Sequence, residues 1–352
     1  MTIRLLRQWL EENSLINYVY QLVAPRAFSV KYDEFEFDER VIVKPAYLAI
    51  CHADQRYYMG KRARSVLDKK LPMALIHEGC GTVIYDPSGK FHVGEQVAMI
   101  PNVPAENRDA VIAENYEKGS SFLSSGKDGF LQEYLGFSPD RLVSCEGIPV
   151  KIAAVTEFVS VAMHSISRFK NLSHQKRNII GVWGDGSLGF VTCELLKWLF
   201  PDSKIVLIGR NKRKMSYFSF VDETYLREEL PNEFEVDHAF ECCGGEGSSY
   251  AIDDIIRFIN PQGTVMLMGV SENKIAVNTR DVLEKGLSFI GSSRSGRVDF
   301  ENAINYMREK HMQKRLEMIL YEDEPVKSIE GLHRVFETDT NTPFKTVFKW
   351  EL

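Results

Sequence analysis

The sequence lacks any apolar run approaching the ~18 residues that cross a bilayer. Its first twenty residues, Met1 to Tyr20, interleave charges with apolar side chains and read as a short helix or tail, without the unbroken apolar centre of a secretory signal. It also lacks an excess of basic charge. Lys and Arg total 43 against 49 Asp and Glu, a net −6, which excludes a global field for nucleic acid. A local basic pocket for a phosphorylated small molecule remains compatible with that balance. The six cysteines (Cys51, Cys80, Cys145, Cys193, Cys242 and Cys243) are scattered and form no C-x-x-C pair. Neither a disulfide framework nor a cysteine-rich zinc knuckle is expected, and a reducing cytoplasm is. Internal repeats and low-complexity segments are missing too. What is present, 352 residues with 44% apolar and 26% charged side chains, describes a soluble globular chain with material for two domains.

The first third reads as short strands and turns. Residues 41–50, 81–85 and 96–100 are strand candidates, with Asp86-Pro87-Ser88-Gly89 as a turn between the last two. Such punctuation suits a small β-rich barrel. Residues 102–129 are polar and contain Ser and Gly, and are expected to be a long surface loop. From about Val150 the period changes: residues 152–169 are apolar over the length of a buried helix. Strands at 178–183, 204–208, 236–240, 264–269 and 287–291 then share the chain with helices at 188–199 and 248–259, which predicts an α/β fold with a doubly wound parallel sheet. Residues 299–311 read as helix, and 346–350 as a strand returning to the first domain.

Gly184-Asp185-Gly186-Ser187-Leu188-Gly189 follows one of these strands and opens an apolar helix. The glycines of G-x-G-x-x-G permit a tight turn, close approach of a pyrophosphate and close helix–strand packing, and the helix N-terminus faces the phosphates. The alternative is a glycine-rich turn that binds nothing. An acid ending the second strand would hold the ribose 2′-hydroxyl of NAD(H). The chain instead reads Ile208-Gly209-Arg210-Asn211-Lys212-Arg213-Lys214. Arg210 can fork onto a 2′-phosphate and Lys212 or Arg213 can add charge, which favours NADP(H). A solvated basic turn is the bland reading, but it leaves the missing acid unexplained.

Cys51-His52-Ala53-Asp54 follows a strand, His77-Glu78 precedes Gly79, and Glu157 lies in the apolar helix. A carboxylate there is costly unless it is paired or binds a cation. One thiolate, one imidazole and one carboxylate make a three-point zinc site with an open position, and Asp54 can fix the tautomer of His77. By spacing alone, a buried apolar cysteine and a structural histidine are the commoner readings. Arg56, Lys61, Arg62 and Arg64 follow the cysteine, with Lys69 and Lys70 near. Each is either a solvated side chain or a phosphate ligand, with Arg56 and Lys61 favoured by their proximity in sequence. Tyr57 is a candidate donor to a substrate hydroxyl or a packed aromatic.

The order Cys-x-x-Asp, His-Glu-Gly, a Glu-bearing helix, the glycine-rich motif and then Phe240-Glu241-Cys242-Cys243-Gly244-Gly245 resembles the zinc-dependent medium-chain dehydrogenases, and the Glu ligand resembles their polyol branch. Tyr20 to Arg26, Asp54 to Tyr58, Gly60-Lys61-Arg62, Leu71-Pro72-Met73 and Gly291-Ser292-Ser293-Arg294-Ser295-Gly296 are similar to ribulose-5-phosphate reductases, also called ribitol-5-phosphate 2-dehydrogenases. The likeness runs from about Tyr18 to Leu352. It implies a GroES-like catalytic domain over 1–160 and 298–352 around an NADP(H)-binding Rossmann domain over 161–297. It implies Cys51, His77 and Glu157 as ligands of one zinc ion per chain, with Glu78 grouped beside them and Asp54 behind. Gly184, Gly186, Ser187, Leu188, Gly189, Arg210 and Lys212 are expected at the cofactor, Arg56, Tyr57 and Lys61 at the substrate, and Arg294 at either.

The implied activity is an NADP-dependent oxidoreductase that reduces D-ribulose 5-phosphate to D-ribitol 5-phosphate for CDP-ribitol, a precursor of teichoic acid in the cell wall or of capsule. The implied partners are a second copy, across the strand at 264–269 or the segment after it, and a ribitol-5-phosphate cytidylyltransferase; neither nucleic acid nor membrane is expected. Two departures from the wider family stand out. The loop at 102–129 has no cysteine for a second, structural zinc, and Ala53 replaces the Ser or Thr that relays the alcohol proton in many members. The rivals are another zinc-dependent polyol dehydrogenase, a zinc-free reductase of quinones or enoyl substrates, and a nucleotide-binding module without chemistry.

Overall fold

A computed structural model of the protein describes residues 15–35 and 39–352. The expected helix or tail at the start lies outside the described residues up to position 14. Its last part is a strand instead, Leu15–Ala24, which turns at Arg26 into Ala27–Phe35. Alternation of buried and exposed side chains along 15–20 is the strand signal that the interleaved charges had masked.

The described residues form two compact units. The first holds residues up to Glu157 together with Ser295–Leu352. Its largest sheet runs in the order Leu142–Ser144, Gln96–Met99, Glu78–Tyr85, Val41–Ala49, Lys345–Trp350, Leu320–Val326, with Leu135–Phe137 also on Val41–Ala49. Val41–Ala49 is central because it is apolar on both faces, and Leu22, Val43, Leu48, Ile76, Phe130 and Phe348 are among the residues of the core it shares. The stretch 102–129 is more ordered than a plain surface loop. It carries a two-residue ladder, Asn102–Val103 with Ser121–Phe122, and buries Asn102, Asn115, Glu117, Phe122 and Ser124. Polar side chains pointing inward give no apolar pattern, so the sequence reads as solvated.

The second unit, Phe158–Arg294, is the parallel α/β sheet expected. Its strand order is Glu223–Leu226, Lys204–Gly209, Ile179–Trp183, His238–Glu241, Thr264–Leu267, Ser288–Gly291, every pair parallel. The chain steps outward from Ile179–Trp183 and then returns to its other side, so the switch point lies beside the glycine-rich turn. The strand Thr264–Leu267 has neighbours on both sides; the edge is Ser288–Gly291. The apolar stretch at 152–169 is two helices, Val150–Ala153 and Thr156–Leu172, because the Thr156 hydroxyl donates to the Ala153 carbonyl at 2.7 Å and starts a new helix.

Candidate metal centre and nucleotide pocket

Cys51 ends the run after Val41–Ala49 and starts the helix His52–Tyr58. Asp54, one turn in, is wholly buried and works in three directions. Its Oδ2 accepts the Cys51 amide at 3.3 Å, and its Oδ1 accepts the Ile76 amide at 3.1 Å and the Ser124 hydroxyl at 2.7 Å. The same Oδ1 lies 3.5 Å from Nδ1 of His77. Ile76 sits at φ +69°, a left-handed conformation that costs a β-branched residue about 1–3 kcal/mol. The Asp54 bond and the Phe130 amide on the Ile76 carbonyl, at 2.7 Å, hold that kink and so aim His77.

Ligand atoms of Cys51, His77 and Glu78 all lie within 4.8 Å of one another. The environment asks for positive charge. Burial alone would lower the His77 imidazole, but Asp54 and Cys51 beside it raise it well above its ordinary value. Burial alone would also raise Asp54, yet His77, Ser124 and the Ile76 amide bring its carboxyl below the ordinary range. Burial pushes the Cys51 thiol up, with His77 and Lys345 opposing. Glu78 receives Lys345 on Oε1, while its Oε2 is buried with no hydrogen-bond partner. A buried, unsatisfied carboxylate oxygen beside sulfur and imidazole nitrogen suits a divalent ion of borderline softness, and zinc fits that donor set. Glu157 is outside the 4.8 Å set. It is buried, its carboxyl is pushed up to about 7 by that burial, and it responds to His77, Glu78, Lys345 and Asp54.

The expected substrate residues divide. Tyr57 is buried, with the Arg62 guanidinium 4.9 Å and the Lys70 ammonium 5.8 Å from its ring centroid. Arg56 is half-buried and Lys61 exposed. Arg64 is paired with Asp68 at 2.9 Å.

In the second unit a cavity of about 340 Å³ is lined by the glycine-rich turn, Gly209 and Arg210, and by Lys214, Arg227 and Tyr250 among others. Gly189 has no room for a side chain: a Cβ there would lie 1.8 Å from the Gly184 carbonyl oxygen. Ser187 and Leu188 form the first turn of the helix Ser187–Leu199. The Asp185 carboxylate turns away from the helix and accepts the amides of Arg210 and Asn211, both at 2.7 Å. Lys212 is 74% exposed and pairs with Glu229, so it is not part of the lining; Lys214 takes that place. Arg227 is bound to Asp254. Arg294, at φ +59°, ends the unit.

Residues 38–147 match the alcohol dehydrogenase GroES-like domain and residues 204–309 match the zinc-binding dehydrogenase domain. The ribulose-5-phosphate reductase of Streptococcus pneumoniae (strain ATCC BAA-255 / R6) is 53% identical, over 97% of this chain and 99% of that protein. The enzyme of the same name from Bacillus spizizenii is 47% identical over 96% of this chain and 100% of its own length. The chain belongs to the zinc-binding dehydrogenases. A crystal structure of S. aureus TarJ in complex with NADPH superposes with a TM-score of 0.84 at 41% identity, over 96% of this chain and 100% of that one. The E. coli L-idonate 5-dehydrogenase shares the fold of this dehydrogenase, with a TM-score of 0.84 at 19% identity over 96% of the chain and 99% of its own.

Three residues of this dehydrogenase's sites escape sequence reasoning. Lys345 opens an apolar strand, where a single lysine reads as a flank. Ser124 lies in a stretch without periodicity. Lys214 lies within the basic turn, but only the short helix Lys212–Met215 shows which of its cations face the cavity.

Proposed function

We propose that this dehydrogenase reduces the C2 ketone of D-ribulose 5-phosphate to D-ribitol 5-phosphate with NADPH, and so supplies CDP-ribitol synthesis for teichoic acid or capsule. The observation that carries the reading is the cluster of the half-buried Cys51 with the buried His77 and Glu78, and its unsatisfied Glu78 oxygen. Two further supports are the near full-length likeness to proteins named ribulose-5-phosphate reductase and the likeness to TarJ bound to NADPH.

In this reading Cys51, His77 and Glu157 hold one zinc ion, with Glu78 beside them. With Nδ1 of His77 against Asp54, Nε2 is the nitrogen left for the ion. Bound zinc supplies Lewis-acid polarisation of the substrate carbonyl. NADPH supplies the hydride that becomes the C2 hydrogen, and the oxygen gains a proton. Lys345 pairs with Glu78 and sets a positive charge against it within the cluster. Gly184, Gly186, Ser187, Leu188 and Gly189 give backbone and helix N-terminus to the pyrophosphate, and Arg210 faces the 2′-phosphate. Ala53 has no hydroxyl, so the proton arrives by a path other than position 53. The six free cysteines suit a cytoplasmic enzyme. The edge strand Ser288–Gly291 is the proposed seam of a homodimer, and a ribitol-5-phosphate cytidylyltransferase is the proposed consumer of the product.

Metal analysis of purified protein, joined to NADPH oxidation with ribulose 5-phosphate, tests this. One zinc per chain and turnover lost in Cys51→Ala and His77→Ala are expected. Full turnover by Cys51→Ala in metal-free buffer overturns it.

A further inference from the structure

Trp183 ends the strand Ile179–Trp183 and immediately precedes the glycine-rich turn. It is 2% exposed, and its indole Nε1 is buried with no hydrogen-bond partner. A buried indole N–H ordinarily has an acceptor, so this one calls for an acceptor from outside the chain. Trp183 lines the nucleotide cavity of about 340 Å³ together with Ile208, Arg210, Arg227, Tyr250 and Ala251. A Cβ on Gly181 would lie 2.4 Å from Cζ3 and 3.0 Å from Cη2 of the indole, so the six-membered ring covers Gly181. Nε1 is attached across that ring from Cζ3 and lies on the side away from Gly181.

The neighbouring wall is aromatic as well. Arg227 forks onto Asp254 at 2.5 and 3.0 Å, and its guanidinium carbon stands 5.1 Å from the centroid of the Tyr250 ring. Tyr250 and Asp254 are four residues apart in the helix Gly247–Phe258 and so share a face. The charge of Arg227 is matched by Asp254, and the ring it braces is 56% exposed. Ala251, next to Tyr250, packs in the same core cluster as Trp183 and Ile208, which sets indole and tyrosine at adjacent positions of the wall. Arg210 stands at the opening of the same helix, where its Nη2 would lie 3.8 Å from a Cβ on Gly247. Tyr250 is three residues further, about 4.5 Å along the axis. A cation for a 2′-phosphate and a ring for a base are thus about one ribose apart.

We propose that Trp183 and Tyr250 recognise the base of the dinucleotide: the Tyr250 ring stacks on adenine, and the Trp183 indole donates to one of its ring nitrogens. Adenine carries unprotonated ring nitrogens at its edge, the acceptors that an indole N–H needs, and a flat face for the tyrosine. The proposal rests on the reading of this cavity as the NADPH site and adds the groups that read the base.

The test uses zinc-loaded enzyme and two probes, adenosine 2′,5′-bisphosphate and inorganic phosphate. The sequence has only 4 tryptophans, so indole proton NMR resolves them, and the Trp183 resonance is the one lost in Trp183→Phe. The bisphosphate should move that resonance downfield and slow its exchange with solvent. Inorganic phosphate, which has no base, should leave it in place. In competition with NADPH fluorescence, Trp183→Phe and Tyr250→Ala should each weaken the bisphosphate about tenfold and inorganic phosphate less than about twofold, whereas Arg210→Ala should weaken both. Bisphosphate that binds without moving the indole proton, or that binds Trp183→Phe within twofold of wild type, overturns the proposal. Equal weakening of both probes in Trp183→Phe also overturns it, because it marks a packing role. Tyr250→Ala changes an exposed side chain and keeps the stacking arm readable if Trp183→Phe does not fold; an affinity within twofold of wild type there overturns the stack. Wild type that binds neither NADPH nor the bisphosphate overturns the reading of the cavity instead.

Discussion

Ile76 adopts a conformation that β-branched residues avoid, one position before His77. Its amide is fixed by Asp54, so a single carboxylate aims the imidazole, caps the Cys51 helix and binds Ser124. Asp54→Asn keeps the shape but removes the negative charge. Zinc affinity should fall about 10–100-fold, read by competition with a chromophoric chelator, while the fold persists. A second residue pair governs the nucleotide. A Cβ on Gly209 would lie 2.9 Å from both Cβ and Oδ2 of Asp185, and that carboxylate is pinned by two amides. Gly209→Asp alone should therefore weaken NADPH binding more than tenfold without creating a site for NADH. NADH binding should appear only with Asp185→Gly added; fluorescence titration with both nucleotides reads the outcome, and NADH preference in the single variant would contradict it. The missing acid at 209 was legible in the sequence. The reason an acid does not fit there was not, because Asp185 and Gly209 meet only after the sheet forms.

Among the elements, the strands of the second unit were legible because buried parallel strands are short apolar runs. The 102–129 segment was not, because charges organise it. Arg141, almost wholly buried, forks onto Glu114 at 3.0 and 3.1 Å and reaches Asp140 at 3.0 Å. The Glu114 carboxylate also accepts the Arg297 amide at 2.7 Å. Arg141→Met strands Glu114 and should cost about 3 kcal/mol in thermal unfolding, with new proteolytic cuts between 104 and 129. In the parallel sheet His238 accepts the Thr264 amide on Nδ1 and packs its ring 4.2 Å from that of His174. Burial first, then His174, lowers its imidazole to about 4 from an ordinary 6.5. The folded state keeps it neutral, whereas the unfolded chain takes up a proton below pH 6.5. Its contribution to stability is complete above that pH and is lost as pH falls toward 4. Between pH 7 and 4.5 wild type should lose about 2 kcal/mol more than His238→Gln in urea unfolding.

At the scale of the molecule each unit has its own core and its own ligand chemistry. Chelation should deprotect amides of the first unit in hydrogen exchange, around 51–54 and 76–78, and leave the strands Ile179–Trp183 and His238–Glu241 unchanged. Added NADPH should do the reverse, protecting the second unit. Equal deprotection of both units by chelator would show that one cooperative transition governs them. The order of motifs along the chain made both units readable. Lys345 was not readable, because its meaning depends on a pairing with Glu78 across 267 positions.

That pairing has a consequence for synthesis. The sheet that holds Glu78–Tyr85 is completed by Lys345–Trp350, a strand synthesised only after the whole second unit. A nascent chain can finish its nucleotide-binding half while the other half still waits for its last neighbour. A stop codon placed just before Lys345 would thus leave a product able to sequester the dinucleotide yet unable to use it.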